Sequence, residues 1–479
     1  MVIKIYNTLT RKKETFKPTT PGLLKIYVCG LTVYDNPHIG HAFSNIFYDV
    51  LINYFKHFHN YNILYIRNIT DVGHLTEETM EDKIEKRAIE RKMHPMELVY
   101  MYTKKMWENY DALLLDRPNI EPTATGHLIE MQDWIKQMLE EGFAYKTKKG
   151  NIYFDISKVP EYGKLANKKI DELEKDTRFE TDPEKKNPHD FALWKIADEK
   201  HIMKWSSPWG VGFPGWHLEC SIMSTKYLDD KFDIHGGAVD LVFPHHENER
   251  AQNYAHFKKE VVKYWVHTAL LTINGKKMSK SLGNFITIDE YLKKHSPQAL
   301  RYLKTSGHYR KPQDYSEQAI IDAEKTLEKI NNFIQRLEMV DNNSSTESSI
   351  KQILETTKTN FSNAMDDDFN TPAAWANIHF LIKETNKLLD KNALTTQDAQ
   401  NILEFLKKIN LVFKVFTFKK EETQNKPKIK KEEIEKLIEK RNKLREQKKW
   451  EEADAIRAKL SEKGIILFDD KNKTTWTYA

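Results

Sequence analysis

Two histidines stand three residues apart just after an apolar run, in the stretch KIYVCGLTVYDNPHIGHAF at residues 25–43. They are His38 and His41, with Gly40 between them. Imidazoles in the first turn of a helix, beside free backbone N–H groups and a glycine that permits close approach, make a good phosphate site. A polar helix start without a ligand has the same letters, so the motif alone leaves both interpretations open.

A basic loop lies much further along the chain, in NGKKMSKSLGN at residues 274–284. Its lysines and serines stand between glycines, and such a loop can wrap a polyanion with each ammonium group acting as a mobile point charge. An ordinary basic surface turn is the alternative, and it is the commoner meaning of a charge run. The loop lacks the Walker pattern, so ordinary P-loop chemistry is not implied.

The chain contains only two cysteines, Cys29 and Cys220, and no C-x-x-C pair. In PHHENER, His245 and Glu249 are four residues apart, so they share one face if the segment is helical. Two thiolates, one imidazole and one carboxylate are acceptable zinc ligands, although buried structural cysteines are an alternative. The residues alone do not choose among four candidate imidazoles, those of His217, His235, His245 and His246.

The stretch GVGFPG at residues 210–215 satisfies the dinucleotide-binding pattern G-x-G-x-x-G. That fingerprint needs a strand before it and a helix after it, so that the pyrophosphate meets the helix N-terminus. The residues before it are KWSSPW, which do not form an apolar strand. The sequence therefore argues against a Rossmann dehydrogenase.

A strand, a helix and a second strand are predicted around the histidine motif. Residues 24–29 predict a buried strand, residues 41–57 a helix with apolar side chains at helical spacing, and residues 63–69 another strand. Strands connected through a helix are parallel. The loop that carries His38 should then lie at the carboxyl end of the first strand, where open α/β sheets bind ligands.

Length and composition restrict the class of protein. A chain of 479 residues is too long for one core, so three or more domains are expected. The 75 basic and 70 acidic side chains leave a net charge of +5, which permits a nucleic acid partner without arguing for one. With no apolar run of membrane-spanning length and no signal-peptide core, we expect a soluble cytoplasmic protein with no membrane contact.

The words HIGH and KMSKS, in this order, together resemble the class I aminoacyl-tRNA synthetases. Longer segments resemble one family in particular, the cysteinyl-tRNA synthetases. These segments are YVCGLTVYDNPHIGHA, RNITDVG, PWGVGFPGWHLECS, DIHGGAVDLVFPHHENE, KMSKSLGNF and DDDFNTPAA. The similarity runs from Lys25 to about Ser316 and returns at Asp366 and in the last fifty residues.

The resemblance implies one Zn²⁺ per chain, and its ligands match Cys29, Cys220, His245 and Glu249. It thereby selects His245 among the candidate histidines. Zinc would solve a problem of specificity, because cysteine and serine differ by one atom and a shape-selective pocket gains only about 1–3 kcal/mol from so small a difference. A zinc–thiolate bond depends on sulfur softness and easy deprotonation, which a serine hydroxyl does not offer.

The resemblance also implies the reaction, in which ATP activates L-cysteine as an adenylate before transfer to tRNA(Cys), with Mg²⁺ accompanying the ATP. His38, Gly40 and His41 would bind ATP, while Lys277 and Lys280 would close over the triphosphate. Residues that match the family's amino-acid pocket are Thr70, Trp216 and Asp240. Residues that match its anticodon contacts are Arg445, Trp450, Asp454 and Asp469.

The expected fold is α/β, with a Rossmann-like parallel-sheet catalytic domain that carries an insertion, then a helical bundle and a small C-terminal α/β anticodon-binding unit. The expected segments are the first catalytic half (1–119), the connective insertion (120–200), the second catalytic half (201–270), the stem-contact region with the KMSKS loop (271–318), the bundle (319–426) and the anticodon unit (427–479). Bacterial members of the family suggest a monomer.

Two alternative functions remain compatible with the catalytic motifs. A cysteine ligase paralogue that acts on an amino sugar would lack the anticodon unit, whereas this chain ends in a basic unit of that kind. A non-catalytic RNA-binding protein descended from a synthetase would be expected to lose the motif histidines or the loop lysines, and all of them are present.

Overall fold

The computed structural model describes residues 2–73, 82–168, 182–278, 283–343, 350–418, 431–447, 449–462, 465–470 and 473–478. The chain divides into two compact units, Met1–Phe416 and Thr417–Ala479, and each is described by itself. Within the described residues, no helix is both long and apolar enough to cross a membrane.

A four-stranded parallel sheet lies at the centre of the first unit. Its strands are β3 (Leu23–Val28), β4 (Asn62–Arg67), β9 (Phe232–Ala238) and β10 (Val262–Thr268), in the spatial order β10-β9-β3-β4. Parallel strands bring their carboxyl ends to one edge of a sheet. Cys29 follows β3 at this edge, and its N–H donates to the carbonyl of Gly236 at 3.0 Å.

Helix α1 (Ile39–Phe58) connects β3 to β4, so the predicted strand–helix–strand unit is confirmed with ends shifted by one or two residues. Helices α2 (Lys83–Arg91) and α3 (Pro95–Ala112) follow β4. Asp82 caps α2 by accepting two backbone N–H bonds, and Pro95 begins α3, where its missing N–H costs nothing.

The expected insertion at 120–200 contains helix α4 (Leu128–Glu140) and three strands of a separate antiparallel sheet, whose fourth strand lies beyond residue 200. The strands of this sheet are β5 (Ala144–Lys146), β6 (Ile152–Phe154), β7 (Phe191–Ile196) and β8 (Gly212–Pro214). Strand β8 lies inside GVGFPG and pairs antiparallel with β7. The glycine pattern therefore does not follow a strand as a dinucleotide fingerprint requires.

Residues 216–257, in the expected second catalytic half, add helices on the central sheet, and residues 271–315, in the expected stem-contact region, form a small sheet beside it. Helices α5 (Trp216–Leu228) and α6 (Glu247–Phe257) flank β9 in the sequence. Strands β11 (Leu271–Ile273), β12 (Lys276–Lys277) and β13 (Gln313–Tyr315) form the small sheet. Between β12 and β13 lie helices α7 (Ile288–Leu292) and α8 (Pro297–Ser306), and an N-terminal hairpin pairs β1 (Lys4–Asn7) with β2 (Lys12–Thr15).

Four helices then form the predicted bundle: α9 (Glu317–Glu338), α10 (Ile350–Asp366), α11 (Thr371–Leu389) and α12 (Thr396–Phe413). Ser316, Asn370 and Thr395 cap three of them through their side chains. In α9 the buried residues recur at helical spacing, which is the pattern of a helix with one face in a core.

Helix α1 is buried on nearly all sides, unlike the one-faced helix that its sequence suggested. From Ala42 to Phe55 almost every residue is buried, including the polar Asn45, Asp49 and Asn53. The cause is its place between the sheet on one side and α8 and α12 on the other.

The second unit consists of α13 (Lys431–Glu446), α14 (Trp450–Glu462) and a hairpin of β14 (Ile465–Asp470) with β15 (Lys473–Tyr478). The strands pair antiparallel, as the sequence predicted. Ile434, Leu460 and Ile465 are among the buried residues of its small core.

Candidate active site

The histidine motif forms the first turn of α1. His38 is the N-cap residue, and its Nδ1 accepts from the His41 N–H at 3.4 Å, while Nδ1 of His41 accepts from the His38 N–H at the same distance. The two rings stack with centroids 3.5 Å apart. Burial lowers the pKa of His41 well below its usual value, and His38 adds to that effect, so the His41 ring is neutral near pH 7.

The basic loop leads into a segment that is bonded to this turn. The Ile39 N–H donates to the Ile286 carbonyl at 3.1 Å, and the Ile288 N–H donates to the Pro37 carbonyl at 2.9 Å. A Cβ atom at Gly40 would lie 2.8 Å from Cε of Met278. The structure thus brings the two motifs side by side.

The two loop lysines are described only in part. The backbone of Lys277 belongs to β12. Its side chain, and the whole of Lys280, lie outside the described residues.

The predicted metal ligands converge at the carboxyl edge of the central sheet. Cys29, Cys220, His245 and Glu249 offer ligand atoms that all lie within 4.8 Å of one another. The two sulfur atoms are 3.9 Å apart, and His245 Nε2 is 3.0 Å from Glu249 Oε1. Cys29 follows β3, Cys220 is on α5 and Glu249 is on α6, so the sheet and two helices fix three of the ligands.

A second ring of histidines surrounds these ligands. His246 Nε2 lies 3.2 Å from Cys29 Sγ. The ligand atoms of a second set also lie within 4.8 Å of one another, and this set consists of Cys29, His235, His246 and Glu249. His235 Nε2 is 2.7 Å from Glu249 Oε2. The geometry alone therefore does not distinguish His245 from His246, a choice that only the family resemblance makes.

Sequence reasoning missed His267, which is part of the same network. His267 Nε2 lies 2.7 Å from His246 Nδ1, and His267 Nδ1 lies 2.8 Å from Thr8 Oγ1. Burial lowers its pKa to about 3, so the ring is neutral and can donate from one nitrogen while accepting at the other. The available signal was its place near the end of β10, beside the strand that carries His235.

The chemistry of the cluster fits a divalent cation. Burial raises the pKa of the Cys29 thiol well above its usual value, with Cys220 and Glu249 adding to the effect, and burial likewise raises the pKa of Cys220 and Glu249. Without a metal, the raised pKa values favour the protonated thiols and carboxyl group. A divalent cation would reverse this preference because it stabilises the thiolates and the carboxylate. Two sulfurs, one ring nitrogen and one carboxylate oxygen form a donor set that zinc accepts.

The three residues predicted for the amino-acid pocket lie at different depths. Thr70 is buried just beyond β4, and its hydroxyl donates to the Glu219 carboxylate at 3.3 Å. Trp216 is half-buried, and its ring stacks on His245 with centroids 4.3 Å apart. Asp240 is exposed on the short turn that follows β9.

The residues predicted to contact the anticodon lie in the second unit. Trp450 begins α14 with 55% of the residue exposed, and Asp454 is exposed one turn later. Arg445 is half-buried near the end of α13. Asp469 belongs to β14, and its side chain lies outside the described residues.

Comparison with known proteins identifies the class. Residues 15–325 match the family described as tRNA synthetases class I (C) catalytic domain. The structure of methionyl-tRNA synthetase from Mycobacterium tuberculosis in complex with methionyl-adenylate has the same fold, with a TM-score of 0.61 at 14% identity over 81% of this chain and 88% of that chain. The fold and the paired motifs thus define a class I aminoacyl-tRNA synthetase.

The other matches narrow the class to one family. Residues 360–417 match the DALR domain, and residues 431–476 match the cysteinyl-tRNA ligase anticodon binding domain. Cysteine–tRNA ligases from Thermodesulfovibrio yellowstonii and Thermococcus gammatolerans are 41% and 42% identical, each over 99% of both chains. The chain belongs to the cysteine–tRNA ligase family, and the anticodon-binding match argues against the amino-sugar ligase.

Proposed function

We propose that this chain joins L-cysteine to tRNA(Cys) in two steps driven by ATP. In the first step the cysteine carboxylate attacks the α-phosphate of ATP, and pyrophosphate leaves. In the second step a terminal ribose hydroxyl of the tRNA attacks the adenylate, and AMP leaves. The observation that carries the proposal is the convergence of two thiols, 191 positions apart in the chain, to 3.9 Å at the sheet edge.

The phosphates of ATP would meet the first turn of α1. The stacked rings of His38 and His41, with the backbone N–H groups of that turn, would hold them at the positive end of the helix. Gly40 leaves room for this approach. Lys277 and Lys280 would then stabilise the charge that builds on the phosphates, and Mg²⁺ would accompany the nucleotide.

Cys29, Cys220, His245 and Glu249 would hold Zn²⁺, which supplies a soft Lewis acid that prefers a substrate thiolate to a serine hydroxyl. His235 orients the Glu249 carboxylate through its 2.7 Å contact, as outer partners of ligands commonly do.

The predicted pocket residues would hold the rest of the amino acid. The Trp216 ring, stacked on His245, would cover the cysteine side chain. The exposed carboxylate of Asp240 suits the ammonium group of the substrate, and Thr70 would help to shape the floor of the pocket.

The second unit would recognise the anticodon. An exposed indole such as that of Trp450 gives an unpaired base a surface on which to stack. Arg445, Asp454 and Asp469 have the guanidinium and carboxylate groups that read base edges. Charging must take place where tRNA(Cys) is available, so we place the enzyme in the cytoplasm. The monomer implied by the family resemblance stays a prediction.

Two assays on the purified full chain test this function. Exchange of labelled pyrophosphate into ATP should require cysteine and should be negligible with serine. Transfer of labelled cysteine to a tRNA(Cys) transcript should follow, with a tRNA of another specificity as the control. Exchange without charging would contradict the synthetase assignment, and loss of both would indicate a non-catalytic relative.

A further inference from the structure

One buried carboxylate on α1 joins three parts of the first unit. Asp49 lies in the middle of α1 and is buried. Its Oδ2 accepts from Arg301 Nη2 at 2.6 Å, and its Oδ1 accepts from Lys414 Nζ at 3.0 Å and from the Asp116 N–H at 2.8 Å. A single side chain of the histidine-motif helix is therefore held by α8, by the residue that follows α12, and by the segment after α3.

Arg301 is fully buried, and its remaining donors all go to backbone carbonyls at helix ends. Nε donates to Phe413 at 2.7 Å, and Nη1 donates to Leu113 at 3.3 Å. These carbonyls belong to the last turn of α12 and to the residue just after α3, where a helix leaves acceptors unsatisfied and carries partial negative charge. The guanidinium thus binds two helix ends to each other and both to Asp49.

Lys414 completes the cluster from the bundle side. It caps the C-terminus of α12 in a left-handed conformation with φ +54°, and its ammonium group also contacts Asp116 Oδ1 at 2.8 Å and the Leu114 carbonyl at 3.0 Å. The chain leaves the first unit only two residues later, at Phe416. The end of the bundle is therefore fastened directly to α1.

The same stretch of chain that carries Arg301 also holds the front of α1. Residues 286–288 bond the backbone at Pro37 and Ile39, and Arg301 follows within α8. Asp49 is eleven residues after His38, which is about 16 Å along a helix of 1.5 Å rise per residue. A rigid helix of that length passes a shift at Asp49 on to the histidine turn.

We propose that Asp49, Arg301 and Lys414 are positioning residues for the first step of the reaction, which set the placement of His38 and His41 from the bundle side. The proposal rests on the proposed function of the histidine turn. Placement matters there because an error near 1 Å in a reacting geometry can cost about 100-fold in rate.

Lys414→Gln is the most informative variant. It removes the ammonium group at the end of the bundle and keeps the buried Asp49–Arg301 pair, so we expect the fold to be retained. At saturating ATP and cysteine, we expect kcat of cysteine-dependent pyrophosphate exchange to fall about tenfold, with both KM values within about twofold of wild type. Lys414→Arg keeps a cation at this place and should restore kcat to within about twofold.

Lys13→Gln is the matched control. Lys13, on β2, also forms an ion pair with the bundle side, to Asp367 at 2.8 Å. It does not belong to the Asp49, Arg301 and Lys414 cluster. Exchange by this variant should equal that of wild type. Assays are run below the onset of unfolding of every variant, as followed by circular dichroism.

The outcomes separate the two proposals. Absence of cysteine-dependent exchange in the wild-type chain would refute the proposed function itself. With exchange established in the wild type, a Lys414→Gln kcat within about threefold of wild type would refute the positioning role, and so would an equal loss in Lys13→Gln. If Lys414→Gln is unfolded, the same criteria apply to Lys414→Met.

Discussion

The buried surroundings of Cys29 and Cys220 disfavour the thiolate forms, because burial raises the pKa of both thiols. A thiol becomes a good ligand only as the thiolate. A cation bound at the proposed site would therefore be needed to ionise the two thiols, just as the thiolates would be needed to bind the cation. This reciprocity makes metal content the most direct test of the ligand assignment.

We expect about one equivalent of zinc in metal-replete protein and much less than one in a Cys220→Ala/His245→Ala double variant, because that variant loses half of the proposed donors. Elemental analysis of both proteins measures this. His246→Ala in place of His245→Ala tests the alternative histidine. Full zinc content in the first double variant would show that the ligands are wrong.

Lys304, on α8, is a buried lysine that the proposed mechanism does not use. Only 3% of the residue is exposed, its ammonium group lies 3.3 Å from Gln313 Oε1, and burial lowers its pKa to about 7. In the unfolded chain a lysine titrates near pH 10.4. Between these values the unfolded chain binds one more proton, so Lys304 makes the protein more stable as the pH rises and least stable at pH 7 and below.

Lys304→Met removes this titration. The stability advantage of the variant over wild type should be about 2 kcal/mol smaller at pH 9 than at pH 7. Urea unfolding at the two pH values measures the difference. Lys383→Met, at an exposed position of α11, is the control and should show no such change. An advantage that is equal at both pH values would contradict the lowered pKa.

Functional residues can be predicted from the sequence where they belong to a short contiguous motif. His38, His41 and the loop lysines stand in short motifs, so they can be found without a structure. Asp49, Arg301 and His267 belong to no such motif. Their roles depend on which helix ends and strands meet them, which follows from the packing of distant segments.

Helix α1 and the segment after the basic loop act as one element at the active site. The bonds from Ile39 to Ile286 and from Ile288 to Pro37 join them, and the Phe285 ring meets His38 edge-on with centroids 5.0 Å apart. The helix, its start and the neighbouring strands were predictable from apolar spacing. Its burial on nearly all sides was not, because the covering helices come from residues more than 200 positions later.

Gly40→Ala should disturb the contact between the start of α1 and the basic-loop segment without unfolding the protein. The added Cβ would lie 2.8 Å from Met278 Cε and 2.9 Å from His38 Nδ1, so the ring must move. We expect kcat of pyrophosphate exchange to fall by about tenfold or more, while alanine's better helix propensity keeps the free energy of unfolding within about 1 kcal/mol. Exchange kinetics and urea unfolding test this. An unchanged rate would show that the ring position is not needed.

The whole molecule consists of a large unit with the candidate active site and a small unit with its own core. Sequence composition indicated the division through the polar, lysine-rich segment at 419–430, which lies outside the described residues. The expected segment borders within the large unit remain a prediction. Composition gives few signals where one hydrophobic core continues across such a border.

A chain that ends at Lys426 should keep cysteine-dependent exchange and lose most tRNA charging. The cut leaves the whole of the first unit, Met1–Phe416, intact and removes the core of the second unit. Exchange and charging assays on this truncated chain measure the two activities separately. Charging as efficient as that of the full chain would contradict the anticodon assignment.

Trp450→Ala should weaken charging at limiting tRNA by about one to two orders of magnitude, since stacking of a base on an aromatic ring contributes roughly 1–3 kcal/mol. Exchange should be unchanged. Phe380→Ala, at another half-exposed aromatic side chain, is the control and should charge normally. Equal charging by both variants would place the anticodon contact elsewhere.

A ribosome that makes this chain releases Cys29 long before Cys220, since the two are 191 positions apart. At ordinary synthesis rates the first thiol waits roughly 10–40 s for the second. During that interval β3 can pair with β4, while its other edge stays open until β9 emerges. With the proposed ligand set, a complete metal site cannot form before Glu249 has left the exit tunnel. Oxidants present during translation should then reduce the yield of active enzyme more than the same oxidants added to the finished protein.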